Sequence, residues 1–122
     1  MRHYRAALLC VLATVACEVT DPTLPSSVEF HVVSPHGAEG AALIELVGES
    51  GTVAPRDDGH LLTARRGDTV WVFVALQVPG EIRFAFEVAA RRQPPSARVV
   101  EVADGENRMR PDVDAYQVRL VR

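Results

Sequence analysis

The chain has 122 residues, with 13 Lys+Arg, 16 Asp+Glu and a formal charge of −3, and every basic residue is arginine. That length holds one domain, and a hydrophobic share of 48% separates it from disordered chains, which lack the apolar surface to offset chain entropy. The acidic balance argues against nucleic-acid binding, which needs a basic stripe, and 2 cysteines are too few for a disulfide scaffold or a four-thiolate zinc site.

The N-terminus carries Arg2 and Arg5, then an apolar run from Ala6 to Ala16 broken only by Thr14, then Cys17. A charged start, a short apolar stretch and a small residue at its end form the three-part layout of a secretory signal, expected to be helical. The run is shorter than the roughly 20 apolar residues of a membrane span. Glu18, Asp21, Pro22 and Pro25 follow at once, which argues against a buried core helix.

Thr14-Val15-Ala16-Cys17 resembles the lipobox of bacterial lipoproteins. The resemblance implies cleavage before Cys17, a diacylglyceryl thioether on Cys17 and attachment to a membrane of the cell envelope. Thr14 stands where that family has leucine or another aliphatic residue. Ordinary cleavage at the same site, releasing a soluble secreted domain, is therefore the alternative. Loss of residues 1–16 removes Arg2 and Arg5 from the 13 basic residues and none of the 16 acids, leaving 11 against 16. It also removes Cys10, so a lipidated mature chain has no free thiol. Residues 17–27, with two prolines and several hydroxyl and acidic side chains, are expected to form a solvated tether.

Residues 28–122 are patterned for strands. Val28-Glu29-Phe30-His31-Val32 alternates apolar and polar side chains, and residues 41–47 form a second apolar run between Gly40 and Gly48. A short strand is expected near Thr52-Val53 and another over residues 60–65. Residues 69–76 are apolar on both faces, which predicts cover on both sides. Trp71 and Phe73, on one face of that run, are then expected in the core and not on an aromatic platform for carbohydrate. Pro79-Gly80 predicts a turn. Residues 81–88 alternate again, with Ile82, Phe84, Phe86 and Val88 inward. Strands over residues 98–102 and 116–121 complete the set. The only helix-forming window, Glu87 to Arg92, is stopped by Pro94-Pro95. The fold class is therefore all-β, an antiparallel β-sandwich of seven or eight short strands.

The aliphatic strand 42–46, the Gly67-Asp68-Thr69-Val70 turn and Pro79-Gly80-Glu81-Ile82 leading into Phe84-Ala85-Phe86-Glu87-Val88 resemble the strand rhythm of cohesin-type and immunoglobulin-like sandwiches. The resemblance implies a non-catalytic adhesion or scaffolding module.

No residue pattern names a chemistry. His31, His36 and His60 lack the close spacing of a zinc motif. Asp104, Glu106 and Asn107 bring oxygen ligands to one loop, and Asp112 and Asp114 follow, but the ordered array of a calcium loop is absent. None of the serines stands in a G-x-S-x-G elbow. Neither enzyme nor cofactor is expected, and a metal- or calcium-dependent sensor or enzyme is the alternative from another class. Contacts with a protein or glycan partner are expected from loops at one end of the sandwich, over residues 34–38, 53–59 and 104–114. Their candidate residues are His36, Asp57, Asp58, Asp104, Glu106, Asn107, Arg108, Arg110, Asp112 and Asp114.

Overall fold

A computed structural model of the chain describes residues 26–48, 51–88 and 92–122. The expected signal segment, Cys17 and the expected tether as far as residue 25 lie outside the described residues, as do residues 89–91 of the helix-forming window. Eight strands follow in order: β1(Ser26–Val33), β2(Glu39–Val47), β3(Gly51–Pro55), β4(His60–Arg66), β5(Thr69–Gly80), β6(Arg83–Val88), β7(Ser96–Ala103) and β8(Gln117–Val121). They form two antiparallel sheets of four strands, ordered β3-β6-β1-β8 and β4-β5-β2-β7. The expected all-β sandwich is the observed fold.

Strand pairing follows one rule: β1 pairs with β8, β2 with β7, β3 with β6 and β4 with β5. The chain is thus one long hairpin, tipped between β4 and β5 and rolled so that successive arms fall in opposite sheets. This is the jelly-roll way of closing a sandwich. The pairs β1–β6 and β2–β5 then join the arms side by side within each sheet. Edge strands β3 and β4 run close together, as do β7 and β8, so the sandwich is narrow at both sides.

Alternation fills the core. From the first sheet come Val28, Phe30, Val32, Phe84, Phe86 and Val88, and from the second Ala42, Ile44, Leu46, Val70, Val72 and Val74. Phe30 stacks on Phe84 with ring centroids 5.2 Å apart and meets Phe86 edge-on at 6.1 Å. Each such side chain contributes roughly 1.5–3 kcal/mol on burial, which explains a sandwich that needs no disulfide.

Three expectations need correction. β1 starts at Ser26, because Ser26 and Ser27 pair with Val88 and Glu87, so the last two residues of the expected tether belong to the sheet. Pro79-Gly80 is no turn: β5 runs on to Gly80, which pairs with Glu39. The third concerns β5 itself. Val70, Val72 and Val74 face the core, but Trp71 is half-buried and Phe73 is 39% exposed on the outer side. The run is apolar on both faces although the sandwich has only two layers, so one of those faces meets solvent.

Candidate functional site

The register sets the connections β1–β2, β3–β4, β5–β6 and β7–β8 at one end of the sandwich. His31 pairs with Arg83, Pro55 with Phe84, Ala41 with Ala103, His60 with Ala75 and Val33 with Gln117. The loops singled out in the sequence therefore share an end. Most of their polar residues, however, are engaged in building the loops. Asp104 accepts from the backbone N–H of Glu106 at 2.8 Å and of Arg108 at 3.0 Å, and its second oxygen takes Arg108 Nε at 3.1 Å. Those backbone N–H groups and the Arg108 guanidinium hold the Asp104 carboxyl below its usual pKa. Arg108 also meets Glu106 at 3.0 Å, and Asn107 supplies the left-handed residue of the turn at φ 62°. Asp57, likewise left-handed, pairs with Arg83. Asp58 is exposed, and Asp112 accepts from the Asp114 N–H at 3.4 Å. Among the described residues no group of three or more His, Cys, Asp or Glu side chains converges to hold a metal.

The centre of this end is a residue that the sequence pattern does not mark. Glu39 is 1% exposed. Simple alternation back from Leu46, Ile44 and Ala42 would turn it outward, but the β2–β5 register shifts between Glu39 and Ala41. Between those two pairs β2 advances from 39 to 41 while β5 runs from 80 to 75, and an irregularity of this kind re-aims the side chain. Gly40 permits it, since a Cβ there would stand 2.5 Å from the Asp104 carbonyl oxygen. Ser34 Oγ and Tyr116 Oη each donate to Glu39 Oε1 at 2.6 Å. Arg110 donates to Oε2 from Nε at 3.1 Å and from Nη2 at 3.0 Å. Burial acts to raise the Glu39 pKa, but the hydrogen bonds from Ser34, Tyr116 and Arg110 outweigh it and the carboxyl sits below its ordinary value. Burial, then the bond to Glu39, pushes the Tyr116 phenol up. Among the described residues no buried side-chain polar atom lacks a partner. The network is thus satisfied and joins β2, the β1–β2 turn and the β7–β8 loop.

The two outer faces differ in kind. On the first sheet, His31 has Glu81 at 2.7 Å from Nδ1 and Glu29 at 2.8 Å from Nε2. Glu29 also meets Arg56 at 3.3 Å and Arg83 at 3.7 Å, and Arg83 continues to Asp57. This face is a closed ionic lattice. On the second sheet, the register sets Leu62, Phe73, Leu43 and Glu101 in one row, with Ala64, Trp71, Glu45 and Arg98 in the next. Leu62 is 71% exposed and Met109, beside the same face, 57%. Polar contacts on this face include the Arg98–Glu45 pair at 2.9 Å and Gln77 with His60 at 3.1 Å. The Arg98 hydrogen bond, opposed by burial and helped by a bond from Trp71, lowers the Glu45 pKa. A small cleft of about 90 Å³ opens between Phe73, Leu43, Glu101, Ala103 and Met109.

No family model matches the chain, and no curated protein or solved structure does.

Proposed function

We propose that this protein is a small exported lipoprotein of the bacterial cell envelope, anchored through Cys17, whose sandwich is a non-catalytic module that binds a protein partner. The observation that carries the binding half is the outer face of the β4-β5-β2-β7 sheet. Leu62, Phe73, Leu43 and Met109 stand together there while the opposite face is covered in ion pairs. A contiguous exposed apolar patch with a polar rim is a mark of an interaction surface. The aliphatic character of the patch favours a protein, because a glycan platform needs hydrogen-bonding side chains around its aromatics. The resemblance of the strand rhythm to adhesion and scaffolding sandwiches points the same way. The loop end, first expected to make the contacts, is occupied with its own hydrogen bonds. The anchoring half is supported by the lipobox-like residues 14–17 and the signal layout before them.

A surface glycan is the second reading, favoured by Trp71 and Phe73 standing two residues apart on that face. The experiment compares partners recovered with wild-type protein and with Phe73→Glu after crosslinking in intact cells. Loss of a protein partner with the fold retained supports the proposal, and identical recovery overturns it. Retention by an envelope polysaccharide column, lost in the same variant, would favour the glycan. For the anchor, intact mass of membrane-extracted protein should show a diacylglyceryl group on Cys17, and Cys17→Ser should release the chain. Unmodified protein in the medium would mean plain secretion.

A further inference from the structure

We propose that the Glu39–Arg110 pair is an acid-released latch that holds Met109 on the open sheet face. Neighbouring residues of an extended segment point to opposite sides, and 109 and 110 use this. Met109 forms an isolated bridge to Ala103 and its side chain walls the cleft beside Phe73 and Leu43. Arg110 turns the other way, its N–H donating to the Val102 carbonyl at 2.8 Å and its guanidinium reaching Glu39. The cleft wall is therefore tied, through Arg110, to a buried carboxylate at the end of the sandwich, in addition to the backbone bonds of Arg110 to Val102 and of Asp104 to Arg108. With about 90 Å³, the cleft has the volume of about three water molecules, room for one aliphatic side chain of a partner. The consequence for recognition rests on the binding-face reading given above; the latch itself does not.

Around Glu39, the β1–β2 turn brings Ser34 as a donor and His36, whose ring lies 6.1 Å from that of Tyr116. The β7–β8 loop brings Tyr116 and Arg110, with Asp104 acting on Arg110. From β5, Gly80 opposes Glu39 without a charge, and Glu81 turns away to His31. Arg110 is thus the single cation bonded to Glu39 among the described residues. Protonation of Glu39 cancels that charge, and the Arg110 guanidinium, already partly exposed, exchanges it for water. Met109 then leaves with the loop.

Met109 is the only methionine after Met1, so its methyl serves as a clean reporter. The test follows the Met109 methyl resonance of the full chain, labelled with ¹³C-methyl methionine and isoleucine, from pH 7 to pH 3, with the methyl of the buried Ile44 as the monitor of global fold. The wild type should show a Met109 transition with its midpoint below the ordinary carboxyl value of 4.5 while Ile44 stays unchanged. Glu39→Gln should abolish the transition and leave Met109 near its acid position at pH 7. Tyr116→Phe, which removes one bond to the carboxylate, should raise the midpoint by about one unit. Asp104→Asn should retain the transition. A Met109 signal constant until Ile44 reports unfolding overturns the latch, and so does an equal midpoint in wild type and Tyr116→Phe. The Tyr116→Phe arm decides the matter even if Glu39→Gln fails to fold. Since no partner is used, a failed Phe73→Glu crosslinking experiment leaves this result standing.

Discussion

The two sheets share one core and the same pleat, yet the chain treats their outer faces in opposite ways. Along the outer side of the β1 sheet, Glu29 bonds to His31 and pairs with Arg83 and Arg56. On the β5 sheet, the same outward positions carry Leu43, Leu62, Trp71 and Phe73. Core packing explains neither choice, because both sets lie outside it. A solvated face needs only charge and solubility, and the first has them. The second leaves apolar surface in water, which costs free energy in the isolated domain. That difference is why the β5 face is the better place to look for a partner.

Several substitutions would break or sharpen this contrast. Truncation of the shared core comes first: Phe84→Ala should cost about 3–5 kcal/mol in urea unfolding, since its cavity opens between the sheets and affects both faces alike. A much smaller loss would mean that the sheets are not packed as described. Next, Glu39→Ala should cost about 3 kcal/mol by leaving the Tyr116 and Ser34 hydroxyls without their acceptor at a buried site. The pH dependence has a definite sign. The folded pKa of Glu39 is depressed, so its stabilisation is full above the unfolded value of about 4.5 and is lost as pH falls through the folded value. Wild type should therefore lose more stability than Glu39→Gln between pH 6 and pH 3. On the charged face, Glu29→Gln should cost about 1 kcal/mol and less in high salt, as part-exposed ion pairs do. On the apolar face, Leu62→Gln should change stability by no more than about 0.5 kcal/mol while lowering binding of a hydrophobic dye. If Leu62→Gln proved the more damaging of these two, the face would be structural and not a docking surface.

How much of this was legible in the sequence depends on the residue. Ile82, Phe84, Phe86 and Val88 were readable as core because period-two alternation fixes their face, and all four are buried. Trp71 and Phe73 were misread because a strand apolar on both sides is ordinarily covered on both sides, and alternation alone does not say how many layers a fold has. Glu39 had no readable mark at all. One acid at the start of an apolar run looks like a solvated strand end, and the bulge that turns it inward exists only through pairing with β5. Arg110 was visible as a candidate, but as a loop cation for a ligand and not as a partner of Glu39, 71 residues away. Gly40 was legible only as the opening of an apolar run, and its close approach to the Asp104 carbonyl is a tertiary contact between distant segments.

By itself, the sequence determined the strand positions, the all-β class and the inner face of most strands, because side-chain alternation and turn residues act locally. The resemblance of residues 1–17 to a signal with a lipobox, on which the anchoring proposal stands, is likewise a matter of sequence alone. Tertiary structure alone decided which outward face is closed by ion pairs and which is left open, and it alone buried Glu39 among Ser34, Arg110 and Tyr116. Those outcomes depend on strand order and on a register shift between distant segments. No local pattern encodes either, since each is settled only when the rolled hairpin closes on itself.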